Sequence, residues 1–163
     1  MNSDTLMNRL KQLDVSSVCD ANKDLRVLDA AIRPVQAGRK LIGRAHTVSC
    51  RDDFLTVIQA INDALPGEVL VVDGQGGQLA LAGGLFVTES IRRGLGGMVV
   101  DGAVRDTSTI AEHDFPVYSR SVLPMSGSSR ILFATRVPIL CGGGLVRPGD
   151  LVFGDGDGLV VAS

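Results

Sequence analysis

The sequence predicts an α/β fold, a single compact domain with a mixed central sheet, on three observations. Short β-branched runs alternate with segments of helical period. Twenty glycines cut the chain into short elements. The last two apolar runs flank a Gly/Asp turn of hairpin type. With 163 residues, 45% of them hydrophobic, the chain can build one substantial core, since folding at this size buries roughly two thirds of the accessible surface. The whole of 1–163 is therefore expected to form one domain.

Taken in order, the first ten residues mix polar and apolar types and lack the apolar core of a secretory signal. Residues 45–50 predict a strand. Phe54, Ile58, Ile61 and Leu65 then recur at helical spacing, with Asp52 or Asp53 as the expected N-cap, and Pro66-Gly67 stops that helix. Val69-Leu70-Val71-Val72 is a continuous apolar run of the kind found in strands covered on both faces. A helix over about 85–93 and the run Met98-Val99-Val100 complete a βαβ unit. Asp101-Gly102 reads as a tight turn, a short helix follows Asp106, and Pro116-Val117-Tyr118 supplies another strand. Leu151-Val152-Phe153 and Leu159-Val160-Val161 flank Gly154-Asp155-Gly156-Asp157-Gly158, a hairpin signal. That loop lacks the spacing and terminal Glu of a calcium-binding EF-hand.

Charge and cysteine usage exclude several classes. A net charge of -2 gives no electrostatic footprint for nucleic acid, whose binding rests on clustered Lys and Arg. No apolar stretch reaches membrane-spanning length. Cys19, Cys50 and Cys141 are odd in number and far apart, which suggests neither a disulfide framework nor a zinc cluster and makes a reducing cytoplasm the expected setting. His46 and His113 form no Ser-His-Asp arrangement visible in sequence. Gly74-Gln75-Gly76-Gly77-Gln78-Leu79 follows a strand but lacks the last glycine of a dinucleotide fingerprint.

The chemistry-bearing candidates gather where parallel strands should end, the edge at which α/β sheets collect ligands. Asp73, Gly83-Gly84 and the stretch from Asp101 to Asp106 are expected there. Asp73 and Asp101 also fit ordinary turn chemistry. Asp106, followed by Thr107-Ser108-Thr109, fits a helix N-cap as well as a metal ligand. Arg105 is either a solvated surface cation or a planar fork that holds a substrate carboxylate with two hydrogen bonds. The helix start at Gly83-Gly84 would add unpartnered amides that favour an anion.

Gly94 to Asp106 is similar to the pattern Arg-Gly-x-x-Gly-x-Val-x-Asp-Gly-x-Val-Arg-Asp, and it identifies the chain as resembling the RraA-like family. Val15-Ser16-Ser17-Val18-Cys19-Asp20-Ala21, Gly43-Arg44-Ala45-His46-Thr47-Val48, Pro66 to Asp73 and Pro148-Gly149-Asp150-Leu151-Val152 extend the resemblance over nearly the entire sequence. The family includes class II (metal-dependent) 4-hydroxy-4-methyl-2-oxoglutarate aldolases, oxaloacetate decarboxylases and the non-enzymatic regulator of ribonuclease activity A. The resemblance implies a swivelling β/β/α type of fold. It implies that Gly83, Gly84, Leu85 and Phe86 bind the pyruvyl part of a small 2-oxo acid, that Arg105 contacts it and is catalytic, and that Asp106 helps bind magnesium or manganese. It also implies a homotrimer, or a hexamer assembled from trimers, with the site near a subunit interface.

Two departures bear on activity. The aldolases commonly carry an acidic residue where this sequence has Gly84, and longer aldolases have a C-terminal extension that this sequence, ending at Ser163, is expected to lack. Retro-aldol cleavage needs a base for the hydroxyl proton, whereas decarboxylation needs mainly an electron sink. The expectation is therefore a pyruvate-forming lyase acting on 2-oxo diacids, with decarboxylation favoured. A regulatory binding protein without chemistry is the alternative.

Overall fold

The computed structural model describes residues 3–163; Met1 and Asn2, part of the segment assessed for a leader, lie outside the described residues. Two short helices, α1 (Ser3–Leu10) and α2 (Val15–Ala21), precede two strand fragments, β1 (Arg26–Val27) and β2 (Arg33–Pro34). The strand and helix units follow as β3 (Leu41–Ser49), α3 (Leu55–Asp63), β4 (Val69–Asp73), β5 (Ala80–Ala82), α4 (Gly84–Arg92), β6 (Gly97–Val104), α5 (Thr107–Ala111) and β7 (Val117–Val122). Then come β8 (Ala134–Thr135), β9 (Ile139–Cys141), β10 (Gly144–Val146), β11 (Leu151–Asp155) and β12 (Gly158–Ala162).

The main sheet runs β1-β12-β11-β3-β4-β6-β7-β2, with β5 added to β6 and β8 to β3, while β9 and β10 form a separate hairpin. Its centre is parallel, β3 to β4 to β6 to β7, and its flanks are antiparallel. The continuous apolar runs now have a cause. Leu70, Val72, Met98 and Val100 face a core roofed by Val57, Ala60 and Ile61 of α3 and Val87 of α4. Val69, Val71 and Val99 face a second core with Tyr118, Ile139, Val152 and Leu159. Strands covered on both sides need apolar residues at every position rather than at alternate ones. The result is a single compact α/β domain with a mixed, curled sheet.

Several local expectations are corrected. Asp101-Gly102 is not a turn but lies inside β6, where the pairing with β7 shifts register between Val100 and Ala103. The strand continues because β5 pairs alongside it, Ala80 opposite Ala103 and Ala82 opposite Val104. Phe54, not Asp52 or Asp53, occupies the N-cap of α3. The Asp53 carboxylate still takes the Leu55 amide at 2.9 Å, and Asp52 turns instead to the amides of Gln78 and Leu79. That helix ends at Asp63, so Leu65 falls beyond it. Gly74 to Leu79 forms a turn linking β4 to β5, with Gln75 and Gly76 at positive φ; no helix opens from it, and the dinucleotide reading loses its context. The β11–β12 hairpin forms as expected, Asp155 facing Gly158. Among the described residues no helix is long and apolar enough to cross a membrane.

Candidate functional site

Extending β6 to Val104 sets Arg105 and Asp106 at its carboxyl end, where the Arg105 amide donates to the Ala82 carbonyl at 3.0 Å. β5 runs parallel beside it, so the Gly83-Gly84 turn and the start of α4 arrive at the same edge. A cavity of about 210 Å³ opens there, lined by Ala80, Leu81, Ala82, Gly83, Leu85, Phe86, Arg105 and Asp106, with Phe54 and Ser126. Its size suits a small metabolite rather than a drug-sized ligand. Gly84, expected with its neighbours to bind substrate, is buried and is not part of the lining.

Asp106 holds an unusual position. Its backbone is left-handed, φ 60° and ψ 40°, at the N-cap of α5, yet its side chain caps no amide of that helix. The carboxylate caps α4 instead, Oδ2 accepting the Gly84 amide at 3.1 Å. This contact explains the glycine pair. A Cβ at Gly83 would stand 2.6 Å from the same oxygen, and a Cβ at Gly84 would stand 2.8 Å from Cγ2 of Thr109 on α5. Gly84 is absent from the positive-φ glycines, so close packing, not backbone conformation, demands the missing side chain.

Arg105 is 43% exposed and its Nε lies 3.9 Å from Asp106 Oδ2, an ion pair too long for a hydrogen bond. Among the described residues its guanidinium makes no hydrogen bond, so the planar fork remains available to a carboxylate. Phe54 and Phe86 meet edge to face, ring centroids 5.6 Å apart, and give the cavity an apolar flank. Helical spacing had placed Phe54 on the core face of α3, and Ser126 lies in a segment rich in turns. Neither carried a sequence signal of the site. Ser126 reaches the pocket through a bridge to Ala80 that only the tertiary fold creates.

Asp73 and Asp101 do not join this group. They stand in register on β4 and β6 but point to other partners, Asp101 to Arg120 and the Gly142 amide, Asp73 to the Gln75 amide. Burial raises the Asp73 carboxyl, with the Gln75 amide opposing. Burial also pushes the Cys50 thiol up to about 12 and raises Cys141 further, so neither offers a thiolate nucleophile. His46 and His113 lie outside the cavity lining.

Asp106 is the lone carboxylate in the lining, and among the described residues no three His, Cys, Asp or Glu side chains converge as a metal cage. A hard divalent cation does not require one. Magnesium accepts one or two carboxylates and completes its shell with water and substrate oxygens. With Oδ2 turned to the Gly84 amide, Oδ1 of Asp106 suits such an open, hydrated site.

Residues 15–161 match the family described as Aldolase/RraA. A protein of Halalkalibacterium halodurans, provisionally named a 4-hydroxy-4-methyl-2-oxoglutarate aldolase, is 33% identical over 157 residues, which cover 95% of this chain and 75% of that relative. Among solved structures, one titled S-adenosylmethionine: 2-dimethylmenaquinone methyltransferase, from Geobacillus kaustophilus, aligns with a TM-score of 0.87 at 31% identity, covering 92% of this chain and 94% of the other. The RNA-processing inhibitor RraA from Thermus thermophilis aligns with a TM-score of 0.86 at 26% identity, covering 92% of each. Because the matched span takes in every residue lining the cavity, and solved relatives share the fold that brings those residues together, the chain belongs to the RraA-like family.

Proposed function

We propose that the protein is a divalent-metal-dependent lyase that forms pyruvate from small 2-oxo diacids, by decarboxylation of oxaloacetate and, less readily, by retro-aldol cleavage of 4-hydroxy-4-methyl-2-oxoglutarate. The observation that carries this reading is the Arg105 fork, free of hydrogen-bond partners among the described residues, beside Asp106 and the first turn of α4. The aldolase name carried by a relative that matches 95% of this chain supports the same class.

In this mechanism Arg105 grips the carboxylate next to the keto group with two parallel hydrogen bonds. The Leu85 amide, in the first turn of α4 and so without an intrahelical partner, donates to the oxygen on which charge develops. A magnesium or manganese ion held by Asp106 would supply further polarisation of the keto oxygen. The bond to the distal carboxylate breaks, carbon dioxide leaves, and the electron pair remains as the pyruvate enolate, which takes a proton to give pyruvate. No base is needed for that cleavage. Retro-aldol cleavage needs one for the hydroxyl proton, and the lining's lone carboxylate is occupied with the Gly84 amide and the cation.

A homotrimer or trimer-based hexamer is the proposed assembly, supported by a group of exposed apolar side chains on the elements around the cavity, Leu85 of its lining, Val122 paired beside Val104, and Met125 bonded to Ala80, since apolar patches around a site tend to be covered by a partner. A neighbouring subunit would then be placed to supply the acidic group that Gly84 does not. A cytoplasmic setting is supported by three free cysteines. The second reading, a regulatory binding protein, is favoured by Gly84 and by likeness to an RNA-processing inhibitor. Magnesium-dependent pyruvate release from oxaloacetate, measured against the metal-only background, separates the two: a rate indistinguishable from that background removes the enzyme.

A further inference from the structure

Asp53 is 1% exposed, yet no part of the chemistry above uses it. Its Oδ1 accepts the Leu55 amide at 2.9 Å. Its Oδ2 accepts the Ser128 hydroxyl and the amides of Arg130 at 2.7 Å and Ile131 at 3.1 Å. Four donors from two distant segments thus converge on one buried carboxylate. Each of those segments supplies a wall of the cavity: Phe54 is the neighbour of Asp53, and Ser126 lies two residues before Ser128.

The backbone between them is close-packed. The Phe54 amide donates to the Ser128 carbonyl at 2.8 Å and the Ser128 amide to the Asp52 carbonyl at 2.9 Å. Gly127 passes so near that a Cβ on it would stand 2.5 Å from the Asp52 carbonyl oxygen. On the other side, the Ala80 amide donates to the Met125 carbonyl at 2.8 Å and the Gly127 amide to the Ala80 carbonyl at 3.0 Å, which fixes Ser126 against β5. Residues 128–131 otherwise run through exposed chain, and a loop of that kind opens readily unless something ties it down.

We infer that Asp53 is a positioning residue for the 2-oxo acid pocket: it clamps the 128–131 segment onto the start of α3 and so fixes Phe54 and Ser126 as the walls that face Arg105. This role rests on the reading of the cavity as a pyruvate-forming site. Burial pushes the Asp53 carboxyl up, but the Ser128 hydroxyl and the three amides outweigh it and hold the group at about 2, so the clamp stays ionised at any working pH.

The test compares wild type with Asp53→Asn and Ser128→Ala in the assembled protein, reading oxaloacetate decarboxylation and the rate of tryptic cleavage after Arg130. In Asp53→Asn an NH2 group replaces one carboxylate oxygen, so whichever way the amide turns it faces a backbone N–H, that of Leu55 or those of Arg130 and Ile131, and leaves it unsatisfied while the charge on the clamp is lost. The expected result is a KM raised on the order of tenfold with kcat nearly kept, and faster cleavage after Arg130. Ser128→Ala, which leaves every backbone amide paired, should raise KM in the same direction by a smaller factor. It also decides the matter should Asp53→Asn fail to fold. A general structural weakening would lower the melting temperature without this separation of KM from kcat. Unchanged KM in either folded variant, or unchanged cleavage in folded Asp53→Asn, overturns the clamp while the activity of the wild type stands. No pyruvate from the wild type overturns the functional reading itself, and the role with it.

Discussion

In the proposed mechanism the work of the cavity is divided between Arg105, whose guanidinium makes no hydrogen bond among the described residues, and Asp106, whose carboxylate already accepts the Gly84 amide. Arg105→Lys keeps the charge but removes the planar geometry, so affinity for oxalate or pyruvate should fall on the order of tenfold, the loss expected for one charge-assisted hydrogen bond. Calorimetric titration checks this, and an unchanged affinity would remove Arg105 as the carboxylate clamp. Asp106→Asn preserves an acceptor for the Gly84 amide while deleting the anion that a hard cation wants. Metal-stimulated turnover should therefore drop at least about tenfold, whereas the melting temperature should move by no more than roughly 3 °C, as for a change of about 1 kcal/mol in a chain of this size. A variant that melts early yet turns over normally per folded molecule would make Asp106 purely a cap. Both residues were legible in sequence because they sit in a dense local motif. That Asp106 caps the helix starting 22 residues earlier, rather than its own, was not legible, since only a left-handed backbone at 106 turns the carboxylate that way.

At the scale of elements, the packing of α4 against α5 controls what the acidic-to-glycine departure means. Gly84→Asp places a side chain against Thr109, whose Cγ2 lies 2.8 Å from the new Cβ, and overpacking of that kind costs about 1–3 kcal/mol. The single substitution should lower the melting temperature without improving metal affinity. Gly84→Asp combined with Thr109→Ala, which removes the 2.8 Å contact but leaves the Thr109 Cβ position 3.1 Å away, should recover part of the stability and then tighten divalent-metal binding, a pair of outcomes that metal titration and thermal melts read directly. Equal metal affinity in the stable double variant would mean that a carboxylate at this helix start does not reach the cation.

β3 and β4 carry a different liability. His46 is fully buried, its Nδ1 3.2 Å from Glu68, and among the described residues Nε2 has no hydrogen-bond partner. Burial lowers its pKa despite the raising pull of Glu68. The unfolded chain therefore binds the proton more readily, and stability should be lost as pH falls through the ordinary histidine value of about 6.5 and on to the lower folded value. Melting curves between pH 8 and pH 5 test this, with His46→Gln as the control that should flatten the slope. A wild-type melting temperature that is flat across that range contradicts it.

For the whole molecule, the proposed assembly predicts a sedimenting mass three times the 17.1 kDa of the chain, or a multiple of that, and a monomer mass at working concentration would refute it. The βαβ centre, the helices over α3 and α4 and the final hairpin were determined by sequence alone, because apolar periodicity and Gly/Pro punctuation are local signals that survive folding unchanged. So was the Arg105-Asp106 pair at the carboxyl end of a parallel strand. The tertiary structure decided what lies beyond local pattern. β1, β2, β5 and β8 are only two or three residues long, too short for any period to register, and they exist because a longer strand offers them an edge. Through β5 the sheet turned an expected Asp-Gly turn into continuous strand. Long-range contacts also sent Asp73 and Asp101 to other partners and brought Phe54 and Ser126, 72 positions apart in the sequence, into the lining of one cavity. Such contacts join residues that share no local pattern, and their energies appear only once the strands have paired.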